Sequence, residues 1–349
     1  MSATVGIGAR TIGDGAPCFV VAEAGSNHNG SLEQAIRLID VAASAGADAV
    51  KFQVFRAERL YPRSAGQTDY LKIAKSIYQI IHEMETPYEW LPELAGRCEE
   101  RGIFFLASAF DEESVDRLDP FVAAHKVASY EMTHLPLVRH VAAKGKPVIV
   151  STGTATLEEV AETVAAFRGT GNPDLVLMQC TGAYPAPLES LGIRAIATLK
   201  TCFDVPAGLS DHSRDPLVGP IAAVAAGADA LEKHFTLGNE LPGPDHRFAL
   251  EPGELRAMVE NVRAAEAALG SPEKAVHAVE QELRAFARRS IFATRHIEPG
   301  EELNNENLAV LRVGKLEPGL EPAFLPQVLG RRAARRIEAE RAIRAGDYA

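Results

Sequence analysis

Two short strings, Ser210-Asp211-His212-Ser213 and Glu232-Lys233-His234, put histidines where they could do chemistry. Each closes an apolar, β-rich run, and alternate residues of an extended chain share a face, so Ser210 lies with His212 and Glu232 with His234. Where two such runs are neighbours in a sheet, both imidazoles come within reach of one ion. Two neutral imidazoles with the remaining positions open suit manganese, zinc or cobalt, with water and a substrate oxygen completing the shell. The competing use is that one histidine acts as a general acid or as a donor to phosphate.

Lys51 and Gln53 share a face in VKFQVF, and Lys126 sits in KVASYE. A buried lysine is costly unless it meets an anion. With the hydroxyls of Ser129, Ser151 and Ser210, these lysines would make a cationic, donor-rich floor suited to phosphate and carboxylate. Alternatively, each lysine is neutralised internally by Glu23, Glu131 or Asp211. Glu23 and Glu131 are candidates for acid/base work, which needs a raised pKa that burial can provide. Asn27-His28-Asn29-Gly30 suits a left-handed turn or a binding loop, with Ser31 as a helix N-cap. The loop GPDHRF places Asp245 and His246 near the same residues, where a carboxylate could hold sugar hydroxyls.

The elements that must position these side chains repeat. Apolar runs at 19–25, 47–55, 102–110, 124–131, 146–153, 174–185, 205–213 and 229–235 alternate with amphipathic stretches such as SLEQAIRLIDVAASAGA, the pattern of successive βα units. Eight units close into a (β/α)8 TIM barrel, and the ionisable residues at the run ends then gather on its C-terminal face. A doubly wound open sheet would instead concentrate them at one crevice. Before the first run, a GDG turn between two short β-like pieces predicts a hairpin across the barrel bottom. After the last, a helix over 254–269 is broken at Gly270-Ser271-Pro272. A second helical stretch ends near Arg289, and short β-like pieces follow. The expected division is 1–282 for the barrel with its hairpin and 283–349 for a linker and small β-rich domain.

The chain has 349 residues, 46% hydrophobic and 24% charged, enough for a sizeable core. A net charge of −11 argues against nucleic acid or an anionic membrane as partner. The basic stretch Arg331, Arg332, Arg335, Arg336, Arg341 and Arg344 is a local exception, read as a solvated or interface-facing cluster. Four cysteines without a CxxC pair, no apolar run of about 18 residues, and no secretory pattern at the start predict a cytoplasmic protein.

Taken in order, AEAGSNHNG, GADAVKFQ, KVASYE, KPVIVSTG, CTGAYPAP, SDHS, LEKHFT and GPDH resemble the sialic acid (nonulosonic acid) synthase family over nearly the whole chain. Residues 290–349 resemble that family's antifreeze-like (SAF) domain. KVASYEMTHLPL, SDHSRDP and LPGPDHRFALEP are most similar to the branch containing spore coat polysaccharide biosynthesis protein E. The resemblance implies condensation of phosphoenolpyruvate with an N-acylated mannosamine-type aldose. It implies a metal, manganese by family habit, on His212 and His234, and phosphoenolpyruvate on Lys51, Lys126, Ser129, Ser151 and Ser210. Glu23, Gln53, Glu131, Tyr184 and Asp245 would contact the sugar or its transferring protons. Arg312 matches an arginine inserted into the neighbouring subunit's site, which implies a domain-swapped homodimer. The chain departs from the sialic-acid branch at Gly182, where that branch has Asn, at TDYLKIAK, where no Asn precedes Ser76-Ile77-Tyr78, and at Val313 in place of Pro. The first two point away from N-acetylmannosamine itself as the sugar. A condensing enzyme for a short aldose phosphate and a non-catalytic barrel carrying the SAF module are the alternatives.

Overall fold

The computed structural model describes residues 3–13, 15–67 and 75–349; TDYLKIAK falls outside them except for Lys75. The contacts divide the chain into two compact units, Met1–Gly270 and Ser271–Ala349.

In the first unit, β1 (Val5–Ile7) and β2 (Arg10–Ile12) form an antiparallel hairpin. Its turn is Gly8-Ala9, with Gly8 at φ 55°, and the GDG string lies beyond β2. The hairpin thus forms earlier than the glycines at 13 and 15 suggested, because two residues with a left-handed glycine already suffice to reverse the chain. Val5, Ile7 and Ile12 pack against Phe19, Ala49, Leu106, Ile149 and Ala230. Those residues lie at or near the starts of barrel strands, so the hairpin plugs the bottom of the barrel.

Eight parallel strands close the barrel: β3 (Phe19–Gly25), β4 (Ala49–Val54), β5 (Phe104–Ala109), β6 (His125–Val127), β7 (Val148–Ser151), β8 (Leu175–Cys180), β9 (Ala207–Asp211) and β10 (Ala230–His234), with β10 pairing β3. The open-sheet alternative is excluded. Strands covered on both faces read as near-continuous apolar runs, which is why Phe19–Gly25 and Ala207–Asp211 are buried throughout. The fourth strand is shorter than its apolar run suggested. It ends at Val127, and Ser129 to Glu131 lie in a turn.

The long helix Pro252–Leu269 ends at Gly270, as the glycine-proline break predicted. The second unit contains the helix Gln281–Ala287 and an antiparallel pair, β11 (Arg289–Ala293) and β12 (Leu308–Arg312). It packs around Ile291, Leu303, Val328, Ile337 and Ile343. The helical segment expected to straddle the two domains belongs wholly to this unit. Part of the basic stretch has an internal purpose: fully buried Asp347 accepts hydrogen bonds from Arg335 and Arg341 and from the Arg344 backbone N–H. Among the described residues no helix is long and apolar enough to cross a membrane.

Gly208 in β9 sits at a close strand approach, since a Cβ there would lie 2.0 Å from the Ala230 carbonyl oxygen. Gly208→Ala should therefore destabilise by ~3 kcal/mol or more, because backbone must move to admit it. Gly96→Ala, inside the helix Leu91–Arg101 with open space around it, should instead stabilise by up to ~1 kcal/mol. Urea denaturation of the two variants checks the contrast.

Candidate active site

Strand register brings the predicted residues together. Glu23 pairs in register with Lys51 and with His234, Gln53 with Ser108, Ser108 with Lys126, and Ser210 with Glu232. Lys51 Nζ lies 2.8 Å from Glu23 Oε2 and 3.7 Å from Glu232 Oε1, and donates to Ser108 Oγ at 3.0 Å. Lys126 Nζ lies 3.8 Å from the same Glu232 oxygen and donates to Ser151 Oγ at 2.7 Å. Ser210 Oγ donates to Glu232 at 3.1 Å, and Gln53 Nε2 to Glu23 Oε1 at 3.0 Å. The Lys51–Glu23 approach is an ion pair without hydrogen-bond alignment, so buried Glu23 Oε2 keeps no hydrogen-bond partner.

The result combines both sequence readings. The lysines do form a cationic floor with Ser108, Ser151 and Ser210 around it, and they are also internally paired. The shared partner is Glu232. Glu131 makes no ion pair with either lysine, and Asp211 serves Lys233 instead, at 2.7 Å. Glu232 was visible in the string LEKHF only as a face-mate of His234; its bridging role depends on a register between strands that a linear pattern does not display. Burial pulls Lys51 down, but Glu23 and Glu232 outweigh it and hold the ammonium above its ordinary range. Lys126 falls below its ordinary value through burial and the nearby Lys51 charge, with Glu232 only partly compensating. Burial raises Glu23 despite Lys51, whereas for Glu232 the two lysines overcome burial and lower it.

Beside this chain, the His212 and His234 rings sit 5.4 Å apart at 67°. His212 Nδ1 donates to the Thr181 carbonyl at 2.8 Å, which leaves the lone pair on Nε2. His234 is driven well below its ordinary value by burial and by His212, and its buried Nδ1 has no hydrogen-bond partner. Asp245 Oδ2 lies 4.0 Å from that nitrogen. Burial and the nearby Glu23 raise Asp245 to about 6, although a fifth of its side chain reaches solvent. Tyr184 stacks on His212 with centroids 4.3 Å apart and meets His234 edge-on, while Phe248 packs against both Tyr184 and His234. Cys180, absent from the sequence-based site, has its Sγ 3.7 Å from His212 Nδ1.

An orphaned, neutral imidazole beside a second one with a free lone pair is a donor set that fits a divalent metal. Among the described residues no group of three or more His, Cys, Asp or Glu is arranged to hold an ion, so water or substrate oxygens would supply the other ligands.

Loop residues hold these elements in place. His28 accepts from Gly30 N–H and bonds Thr86, whose hydroxyl donates to the Gln53 carbonyl at 2.8 Å. His246 bonds Asn29 Oδ1 at 3.1 Å and Thr236 at 2.6 Å. Both histidines are fully buried and lowered to about 4 by that burial, so they are neutral scaffolding. Lys233 donates to Asp211 and to the Ser213 and Asp215 carbonyls, fixing the loop that carries His212.

The remaining predicted residues are placed as follows. Ser129 Oγ accepts from Gly153 N–H at 3.0 Å. Glu131, buried with Oε2 unpartnered, lines a cavity of about 540 Å³ with Arg59, Phe110, Asp111 and Tyr130. Arg312 is exposed at the end of β12 in the second unit. The departures have local causes. A Cβ at Gly182 would meet Thr154 Cγ2 at 2.7 Å and the Tyr130 hydroxyl at 3.2 Å. Val313 N–H donates to the Arg288 carbonyl at 3.0 Å, a bond that proline could not make.

Residues 38–274 match the NeuB family and residues 288–349 the SAF domain. The chain is 43% identical to the spore coat polysaccharide biosynthesis protein SpsE of Bacillus subtilis, over 96% of this chain and 94% of that protein. The crystal structure of that protein superposes with a TM-score of 0.69 at 42% identity, covering 99% of both chains. Identity is 37% to the pseudaminic acid synthase of Campylobacter jejuni, over 95% of this chain and 96% of that protein. It is 38% to the N,N'-diacetyllegionaminic acid synthase of Legionella pneumophila, over 95% of each.

Burial raises Glu131 from 4.5 to about 7. A raised folded-state pKa contributes stability that is fully present below the unfolded value and lost as pH rises through about 7. Glu131→Gln should therefore stabilise the protein at pH 8 by about 2 kcal/mol and change little at pH 4. Urea denaturation at the two pH values tests this, and an equal effect at both would place the titrating proton elsewhere.

Proposed function

The chain belongs to the NeuB family, and from that membership we propose that it condenses phosphoenolpyruvate with an N-acylated mannosamine-type aldose. The products are a nonulosonic (sialic-acid-like) acid, destined for surface polysaccharide, and phosphate. The observation that carries this reading is the buried Lys51–Glu232–Lys126 chain lying against His212 and His234. Lys51 and Lys126 share Glu232 in a dry floor, and burial pushes Glu23 beside Lys51 toward its neutral form, so there is capacity to balance a further anion bearing both phosphate and carboxylate.

In the reaction the methylene carbon of phosphoenolpyruvate bonds to the aldehyde carbon. Water oxygen adds at the carbon bearing the phosphate, and that C–O bond then breaks. The aldehyde oxygen gains a proton, and the added water loses both of its own, one as it adds and the second as its oxygen becomes the keto group and the phosphate leaves with that proton. Lys51 and Lys126, with Ser129, Ser151 and Ser210, hold the enol phosphate, and the fixed geometry removes the entropy cost of the encounter. A divalent metal, manganese by the family's habit, held by His212 and His234, would supply Lewis-acid polarisation of the aldehyde oxygen. Tyr184 and Phe248 shield the two imidazoles from water. Glu23, raised by burial and with Oε2 free of any hydrogen bond, holds or takes a proton beside Lys51. Gln53 fixes its other oxygen, and Asp245 and Glu131 contact the sugar.

The working assembly in this reading is a swapped homodimer in which Arg312 serves the partner's site. Val279, Leu283 and Phe286 leave an exposed apolar stripe at helical spacing, a surface that a second copy would cover. Four unpaired cysteines suit the reducing cytoplasm.

Full-length protein incubated with manganese, phosphoenolpyruvate and a panel of N-acyl hexosamines should release phosphate in proportion to sugar consumed. Elemental analysis should find metal in the wild type and far less in His212→Ala/His234→Ala. Silence across manno, 2,4-diacetamido and 6-phosphate sugars, with equal metal in both proteins, would sink the proposal.

A further inference from the structure

The cavity beside Glu131 is built from loops that follow β4, β5 and β6, so it opens on the active face of the barrel. Its volume of about 540 Å³ exceeds the needs of bound water. Three properties of its wall bear on what it takes. Glu131 Oε2 is buried without a hydrogen-bond partner and asks for an N–H or O–H donor. Asp111, Glu112 and Glu113 add three more carboxylates, and Arg59, the guanidinium on this wall, is 3.9 Å from Glu113. Tyr130, more than half exposed, and Phe110 present aromatic surface.

Tyr130 also borders the reacting end. Its hydroxyl stands 3.2 Å from where a side chain at position 182 would begin, and Thr154 blocks the rest of that space. Glycine at 182 and tyrosine at 130 therefore belong together: the polar group that a residue at 182 would offer is replaced by the Tyr130 phenol.

Resting on the synthase reading above, we propose that this cavity receives the far end of the sugar as an uncharged N-acyl substituent and excludes a sugar phosphate. The amide N–H supplies the donor that Glu131 Oε2 lacks, and the acyl methyl lies over Tyr130 and Phe110. A phosphate dianion is an acceptor without a donor, and it would face four carboxylates, with only Arg59, 3.9 Å from Glu113, and the His134 imidazole as basic groups on the wall.

The test measures phosphate release with manganese and phosphoenolpyruvate for three sugars: N-acetylmannosamine, its 6-phosphate, and a 2,4-diacetamido hexose. The expected order of kcat/KM places the diacetamido sugar first and the 6-phosphate last by at least tenfold. Tyr130→Ala should raise KM for the diacetamido sugar about tenfold, the worth of one methyl in an apolar pocket, with kcat little changed. Glu112→Gln/Glu113→Gln, on the exposed first turn of a helix, should narrow the discrimination against the 6-phosphate. A preference for the 6-phosphate, or Tyr130→Ala lowering kcat and leaving KM unchanged, overturns this inference and leaves the synthase reading standing. No release from any sugar overturns the synthase reading and this inference with it.

Discussion

The structure depends on keeping Lys51 and Lys126 charged inside a barrel. Each is nearly fully buried, and a buried ammonium survives only against a nearby carboxylate. Glu232 serves both, and Glu23 adds a second negative charge beside Lys51, so two cations face two anions. Removing one member of such a set typically costs about 3–5 kcal/mol, because a charge is stranded. That cost ties the register of β3, β4, β6 and β10 to one another: a slip of one residue would turn a lysine outward and leave its carboxylate alone.

Electrostatics then divides the site. Around the lysines, opposite charges hold Lys51 and Glu232 in their charged forms, while burial wins at Glu23, raising it, and at Lys126, lowering it. At His234 and Asp245 burial dominates, leaving His234 neutral and Asp245 raised to about 6, whereas at His212 burial is outweighed by Cys180 and the Thr181 carbonyl, which raise it. One part is a preset field and the other a set of free lone pairs. Tyr184 joins them sterically by stacking on His212. Preorganised charge next to unsatisfied donors is expected where binding energy is used for chemistry rather than for folding.

Much of this was legible in the chain. The alternation of β-rich runs with amphipathic stretches announces the barrel, and the rule that barrel chemistry sits at strand C-termini selects Glu23, Lys51, Lys126, His212 and His234 without any coordinates. What was hidden depends on neighbours distant in sequence. Glu232 reads as one more strand residue until β10 is set beside β9. Glu131 ends an apolar run on paper, but the strand stops at Val127 and the turn swings it to a cavity wall. Cys180 is legible as the cysteine at a strand end alongside His212 and His234, but its 3.7 Å distance to His212 is not. The GDG string was misleading for a local reason, since Gly8 had already made the turn.

The bond between His246 and Asn29 joins the loop after the first barrel strand to the loop after the last, across 217 residues of sequence. On the ribosome that bond, and the β10–β3 pairing beneath it, cannot form until the eighth strand has been synthesised. A nascent chain therefore carries Lys51 and Lys126 without Glu232 to neutralise them until the eighth strand is made. Closure of the barrel and completion of the site are a single event, so a product truncated before β10 can hold neither.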